Sequence, residues 1–207
     1  MRDGVDEDKR DTLRRFAAFG AASPLVSLGD GGDGHADPDP PTSETREAIA
    51  GYLATTPGAH FSKLRDDLLL GTGEAQHHLR KLADDGVVTS RRDGDYRRFF
   101  PAGRFTPFEQ RALGYLRRET PRGMLVTLLR APDSTGADLA EALDVSAATV
   151  SAAAGDLAAA GLLSREDGYA VERPETVLTL VVAFADSFGP RAIELAAAAD
   201  EYVRYTG

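Results

Sequence analysis

The chain has 207 residues, 42% hydrophobic and 28% charged, enough apolar material to bury a core in one large domain or two small ones. It contains no cysteine, which excludes disulfides and thiolate metal sites, and its four histidines (His35, His60, His77, His78) are too scattered for a metal cluster. The formal net charge is -9, and no stretch approaches the ~18 apolar residues that span a bilayer.

Taken from the N-terminus, LRRFAAFGAASPLVSLG (13 to 29) places two arginines before a mildly apolar run. A twin-arginine export signal fits it badly, because Phe16 follows the arginines directly and Gly20 and Pro24 interrupt the run. A short docking helix or a disordered arm is expected instead. The stretch GDGGDGHADPDPPTS (29 to 43) is rich in Gly, Asp and Pro and reads as a flexible linker. Residues 1–43 are therefore expected to form a flexible arm, with ordered structure starting near Ser43.

Helical spacing follows. In TSETREAIAGYLATTPG, Ser43 is the expected N-cap, Ile49, Tyr52 and Leu53 form an apolar stripe, and Pro57-Gly58 ends the helix. A short extended piece, AHF, leads into SKLRDDLLL, where Ser62 is the expected cap of a helix carrying Leu64 and Leu68. GTGEAQHHLRKLADDG predicts a third helix with Ala75, Leu79 and Leu82 on its buried side and Gly86 at its C-terminal end. Then VVTSRRDGDYRRFFP alternates around Asp93-Gly94, a strong hairpin signal. Three helices and a two-stranded hairpin make a winged helix-turn-helix, here over residues 44–103.

The stretch AQHHLRKLADDGVVTSRRDGDYRRFFP (75 to 101) resembles the recognition helix and wing of ArsR-like and MarR-like regulators. That resemblance implies a helix in the DNA major groove and an arginine-rich hairpin along the flanking backbone. The candidate base-reading and groove residues are then Thr72, Gln76, His77, Arg80 and Lys81. The candidate phosphate ligands are Arg91, Arg92, Arg97 and Arg98, whose guanidiniums bind phosphate through paired hydrogen bonds. One departure stands out: Glu74 occupies a position where such regulators usually carry Thr or Ser.

The second half repeats the first at an offset of 75 residues, which lays Leu64 on Leu139, Leu68 on Leu143, Leu82 on Leu157 and Gly86 on Gly161. A connecting helix (108 to 118) and a first helix (121 to 130, with Thr120 as cap) precede this copy, giving a second winged domain within residues 104–173. Its reading helix presents Ser151, Ala152, Gly155 and Asp156, and its wing, REDGYA, is acidic on balance. Thr149 and Ser151 keep hydroxyls where the family has them, but little remains to neutralise a phosphate. Residues 174–207 are expected to form two helices. The first carries Val177, Val181, Phe184 and Phe188 on one stripe; the second carries Ile193, Leu195, Tyr202 and Val203. Their surplus apolar surface suits either the monomer core or a homodimer interface.

The expected fold is mainly α with small β-hairpin wings, two winged helix-turn-helix domains in tandem plus C-terminal helices. No glycine-rich phosphate loop follows a strand, no nucleophile elbow is present, and the carboxylate pairs Asp66-Asp67 and Asp84-Asp85 fall on polar faces, so neither an enzyme nor a cofactor is expected. Only Lys9, Lys63 and Lys81 among the 24 basic residues are lysine, and aspartate outnumbers glutamate; the chain resembles haloarchaeal proteins of a salt-rich cytoplasm. The resemblance implies a cytoplasmic, sequence-specific transcriptional regulator that binds double-stranded DNA as a homodimer, off the membrane. The rival from another class is a tandem winged-helix adaptor that binds protein, of the condensin-accessory or basal transcription factor type.

Overall fold

The structure, a computed structural model, describes residues 3–21 and 40–199. It divides between Thr106 and Pro107 into two compact units.

In the first unit, α1 (Asp3–Ala21) and α2 (Pro40–Thr55) precede β1 (Ala59–His60), α3 (Phe61–Asp67), α4 (Thr72–Asp84), β2 (Val88–Asp93) and β3 (Tyr96–Pro101). The strands form one antiparallel sheet in the order β1-β3-β2. Ile49, Tyr52 and Leu53 of α2, Leu64 of α3 and Ala75, Leu79 and Leu82 of α4 close the core against Val88 and Phe99 of the hairpin. These are the stripes that the helical spacing predicts. Gly86 ends α4 with φ of +70°, a left-handed geometry that a Cβ would oppose.

Two expected caps are corrected. The second helix of the unit begins at Pro40, because proline suits an opening turn, so Ser43 lies inside it and donates to Glu47 Oε1 (2.9 Å). His60, rather than Ser62, caps α3: its Nδ1 accepts from the Lys63 N–H at 3.3 Å. The expected start of order near Ser43 is also corrected, since α1 is helical and docked. Leu13 is 6% exposed within the domain core, and Phe16 meets the Tyr52 ring edge-on at 5.3 Å. The linker expected at 29–43 falls mostly outside the described residues.

The second unit contains α5 (Pro107–Leu116), α6 (Glu119–Arg130), α7 (Gly136–Leu143), α8 (Ala147–Ala159), β4 (Leu163–Ser164), β5 (Ala170–Val171), α9 (Pro174–Ala183), α10 (Ala185–Phe188) and α11 (Pro190–Ala197). Here α6 is capped at Arg118, two residues before the expected Thr120. The internal repeat is structural: α4 and α8 start and end 75 residues apart, and Gly86 and Gly161 share a left-handed φ, +70° and +67°. Leu69 and Asp144, also 75 apart, both adopt φ of +54° at the turn before the reading helix. Val177, Leu180, Val181, Phe184, Phe188, Ala192 and Leu195 are buried in this unit's own core. Val182 and Ile193 remain 39% and 44% exposed, and Tyr202 and Val203 lie outside the described residues.

Candidate nucleic-acid interface

Periodicity divides α4 into two sides. Ala75, His78, Leu79 and Leu82 face the core, which leaves Thr72, Gln76, His77, Arg80 and Lys81 exposed on the opposite side. Lys81 is held by Asp85 one turn on (2.8 Å), and Thr72 Oγ1 accepts a long bond from Arg65 (3.4 Å). The ring of His77 stands edge-on against His78 at 5.2 Å. All five predicted helix residues thus lie together on the solvent side of one helix.

The hairpin register sorts the four predicted arginines. Arg92 pairs directly across from Arg97, and Arg91 from Arg98, with a two-residue connection, Gly94-Asp95, at the tip. Residues opposite each other on antiparallel strands share a face, and neighbours along a strand alternate. Arg92 and Arg97 are therefore on one face, where both are exposed. Arg97 is steadied there by its Nε bond to Ser90 Oγ (2.8 Å) and by stacking over Phe99, 5.8 Å from the ring centre. Arg92 Nε reaches back toward the Gly94 carbonyl (3.4 Å).

Arg91 is half-buried on the other face. Arg98 is 3% exposed: its guanidinium pairs with Asp93, donates to the Gly58 carbonyl (3.1 Å) and stacks on Tyr96. The expectation that Arg98 is a surface phosphate ligand is corrected. The pleat puts Arg98 and Asp93 together on the face opposite Arg92 and Arg97, where Arg98 ties the wing to the Gly58 carbonyl just before β1.

Two directly opposed guanidiniums repel each other, so the Arg92/Arg97 pair favours an anion between or above it. Phosphate and carboxylate oxygens both match the guanidinium fork.

Sequence reasoning missed several supporting residues. Ser90 orients Arg97, and strand alternation was the signal for it. Glu74 sits at the third position of α4 and accepts from the Gly71 N–H (3.1 Å), which is why an acid replaces the usual hydroxyl. In the second copy the cap is Ser146, whose Oγ accepts from Thr149 N–H (3.1 Å), and Thr149 needs no charge. Lys9 of α1 grips both Glu74 oxygens at 3.0 and 2.9 Å, a contact that no local pattern reveals.

Two histidines border the interface. Burial, then Arg98 and Lys63, holds the imidazole of His60 below its ordinary pKa. His78 is also lowered, by burial and then by His77, and its buried Nδ1 has no hydrogen-bond partner. Among the described residues, no cluster of His, Cys, Asp or Glu could hold a metal ion.

The second reading helix differs in character. Ala147, Ala148, Ser151 and Ala152 give α8 a small-residue outer side, Asp156 adds a negative charge, and the short β4-β5 wing carries exposed Arg165, Glu166 and Asp167.

The three-helix core, the left-handed glycine after each reading helix and the paired wings define a tandem winged helix-turn-helix protein. Residues 43–113 match the family model of an N-terminal helix-turn-helix domain, and residues 120–173 match the model of the MarR family. The chain thus carries two helix-turn-helix domains of the kinds found in tandem winged-helix regulators, and such domains mark it as a DNA-binding regulator in general. Searches of the curated proteins and of the solved structures found no match. No helix among the described residues is long and apolar enough to cross a membrane.

Proposed function

We propose that this protein is a sequence-specific transcriptional regulator whose first winged domain binds double-stranded DNA. In this reading α4 enters the major groove, where Thr72, Gln76, His77 and Arg80 meet base edges and Lys81 lies at the rim. Arg92 and Arg97 hold a backbone phosphate beside it, and Arg91 flanks them. The observation that carries the reading is the exposed, directly opposed Arg92/Arg97 pair, with Asp93 on the opposite face and paired to Arg98. A protein adaptor would use the same two guanidiniums only for an acidic partner segment, whereas every DNA duplex supplies phosphates beside the groove that α4 enters.

The second winged domain, with its smooth α8, is assigned a protein-contacting role. Val182 and Ile193 are the exposed apolar side chains offered for pairing two copies. The protein acts without catalysis or cofactor, in the cytoplasm of a salt-adapted archaeal cell. The domain bounds 1–43, 44–103, 104–173 and 174–207 belong to this proposal, with α1 of the first segment docked on α2.

Selection of bound duplexes from a random-sequence DNA library, followed by sequencing, tests it. Enrichment of one motif is expected, and an unenriched pool, or no retained DNA, would reject the reading.

A further inference from the structure

Glu74 is the acidic residue in the first turn of α4, the same turn that presents Thr72 for DNA reading. Alone, its carboxylate would repel an approaching phosphate, yet the turn needs it, because Gly71 has no side chain to cap the helix and Glu74 satisfies the Gly71 N–H instead. The second copy avoids this conflict with the neutral Ser146 cap. In the first copy the conflict is met from outside the winged domain. Lys9 contacts both Glu74 oxygens, and the pair is partly withdrawn from water, with side chains 28% and 32% exposed. Lys9 is brought there by α1, which is anchored one turn further on by buried Leu13, by Phe16 against Tyr52 and by Arg14 near Glu44 (3.6 Å).

We propose that Lys9 is a positioning residue of the DNA-reading head. Carried by α1, which docks on α2, it reaches across to α4 and cancels the Glu74 carboxylate, so the N-terminal helix helps set the affinity of the first winged domain for DNA. This rests on the DNA-binding reading above. Lys9 touches no base in this account; it acts through Glu74.

The test uses the full chain and a labelled mixed-sequence duplex, at the lowest KCl concentration that keeps the protein folded, with binding read by fluorescence anisotropy. K9M is expected to bind roughly threefold to tenfold more weakly, the range for exposing one charge close to a phosphate with modest screening. E74Q retains an oxygen that accepts from Gly71 and removes the charge, so K9M/E74Q, neutral again at this point, should bind within about twofold of the parent. This rescue separates charge neutralisation from simple fold support, since a Lys9 that only holds α1 in place would leave the double variant as weak as K9M. An unchanged K9M, or a K9M/E74Q as weak as K9M, overturns the proposal while leaving the DNA-binding reading intact. If the parent chain binds no duplex, or R92A/R97A binds as well as the parent, the DNA-binding reading falls and takes this inference with it.

Discussion

Arg92 and Arg97 stand opposite each other, exposed near the tip of the wing, and their removal isolates the phosphate contact. R92A/R97A is expected to weaken binding to all duplexes alike, since phosphate contacts carry little sequence information. Q76A or R80A should instead relax preference at individual base pairs, by about 1–3 kcal/mol per good contact. Competition binding against single-base operator variants distinguishes the two patterns. R98A behaves differently again. It strips Asp93 of a buried guanidinium, so the first unit should lose about 3 kcal/mol of stability, the scale for breaking a buried ion pair from one side. Chemical denaturation reads this, and an unaltered midpoint would show that the inward pair does not hold the wing. The lowered imidazoles set the acid response. For a base whose folded pKa is depressed, the folded state favours the neutral form, so stability is full above the unfolded pKa of about 6.5 and falls as pH drops below it. The thermal midpoint should therefore decline from about pH 7.5 to about 5.5, and H78L should reduce that decline, because leucine fills the site without an unpaired nitrogen.

Among elements, the C-terminal helices bear most on stability. Val177, Val181, Phe184, Phe188 and Leu195 are buried in the second unit, and each large side chain contributes roughly 1.5–3 kcal/mol of burial. Truncation before Pro174 should therefore unfold the second unit and leave the first intact, seen as loss of one of two melting transitions; a truncated chain that keeps both would contradict this packing. The same helices show what the sequence alone could reveal. Their apolar stripe was legible from spacing, but whether it covers a core or a second copy depends on what lies opposite, which spacing does not encode. The repeat was legible because α3/α4 and α7/α8 keep one length between Leu64 and Gly86 and between Leu139 and Gly161. The wing was legible as a hairpin, whereas the division of its arginines needed the register: a shift of one residue exchanges Arg97 with Arg98. A docking helix is one of two readings of α1 from sequence, but its partner was hidden because Lys9 and Glu74 are 65 residues apart. Capping was misplaced at Ser43 and Ser62 because a serine near a helix start is only a preference: α2 already opens at Pro40, and His60 caps α3.

At the scale of the whole molecule, charge is partitioned along the chain. Residues 1–43 hold 5 basic and 9 acidic side chains, residues 44–103 hold 9 of each, and residues 104–207 hold 10 and 15, for net values of -4, 0 and -5. The stretch that contains α4 and the wing is thus neutral within an acidic protein. In molar salt the Debye length shrinks to about 3 Å, so the distant acidic groups no longer repel DNA while guanidiniums in contact with phosphate still act. Binding should then persist at molar KCl, and the fold should weaken when salt is withdrawn, as its acidic groups repel one another. A thermal midpoint indifferent to KCl would show that the acidity is not an adaptation to salt. The central claim, that the first wing grips DNA phosphate, is tested most directly by the slope of log affinity against log KCl for the parent and for R92A/R97A. The account predicts weaker binding by the double variant and a slope shallower by about 0.9, the value for one phosphate that the wing no longer neutralises. Two coincident lines would contradict it.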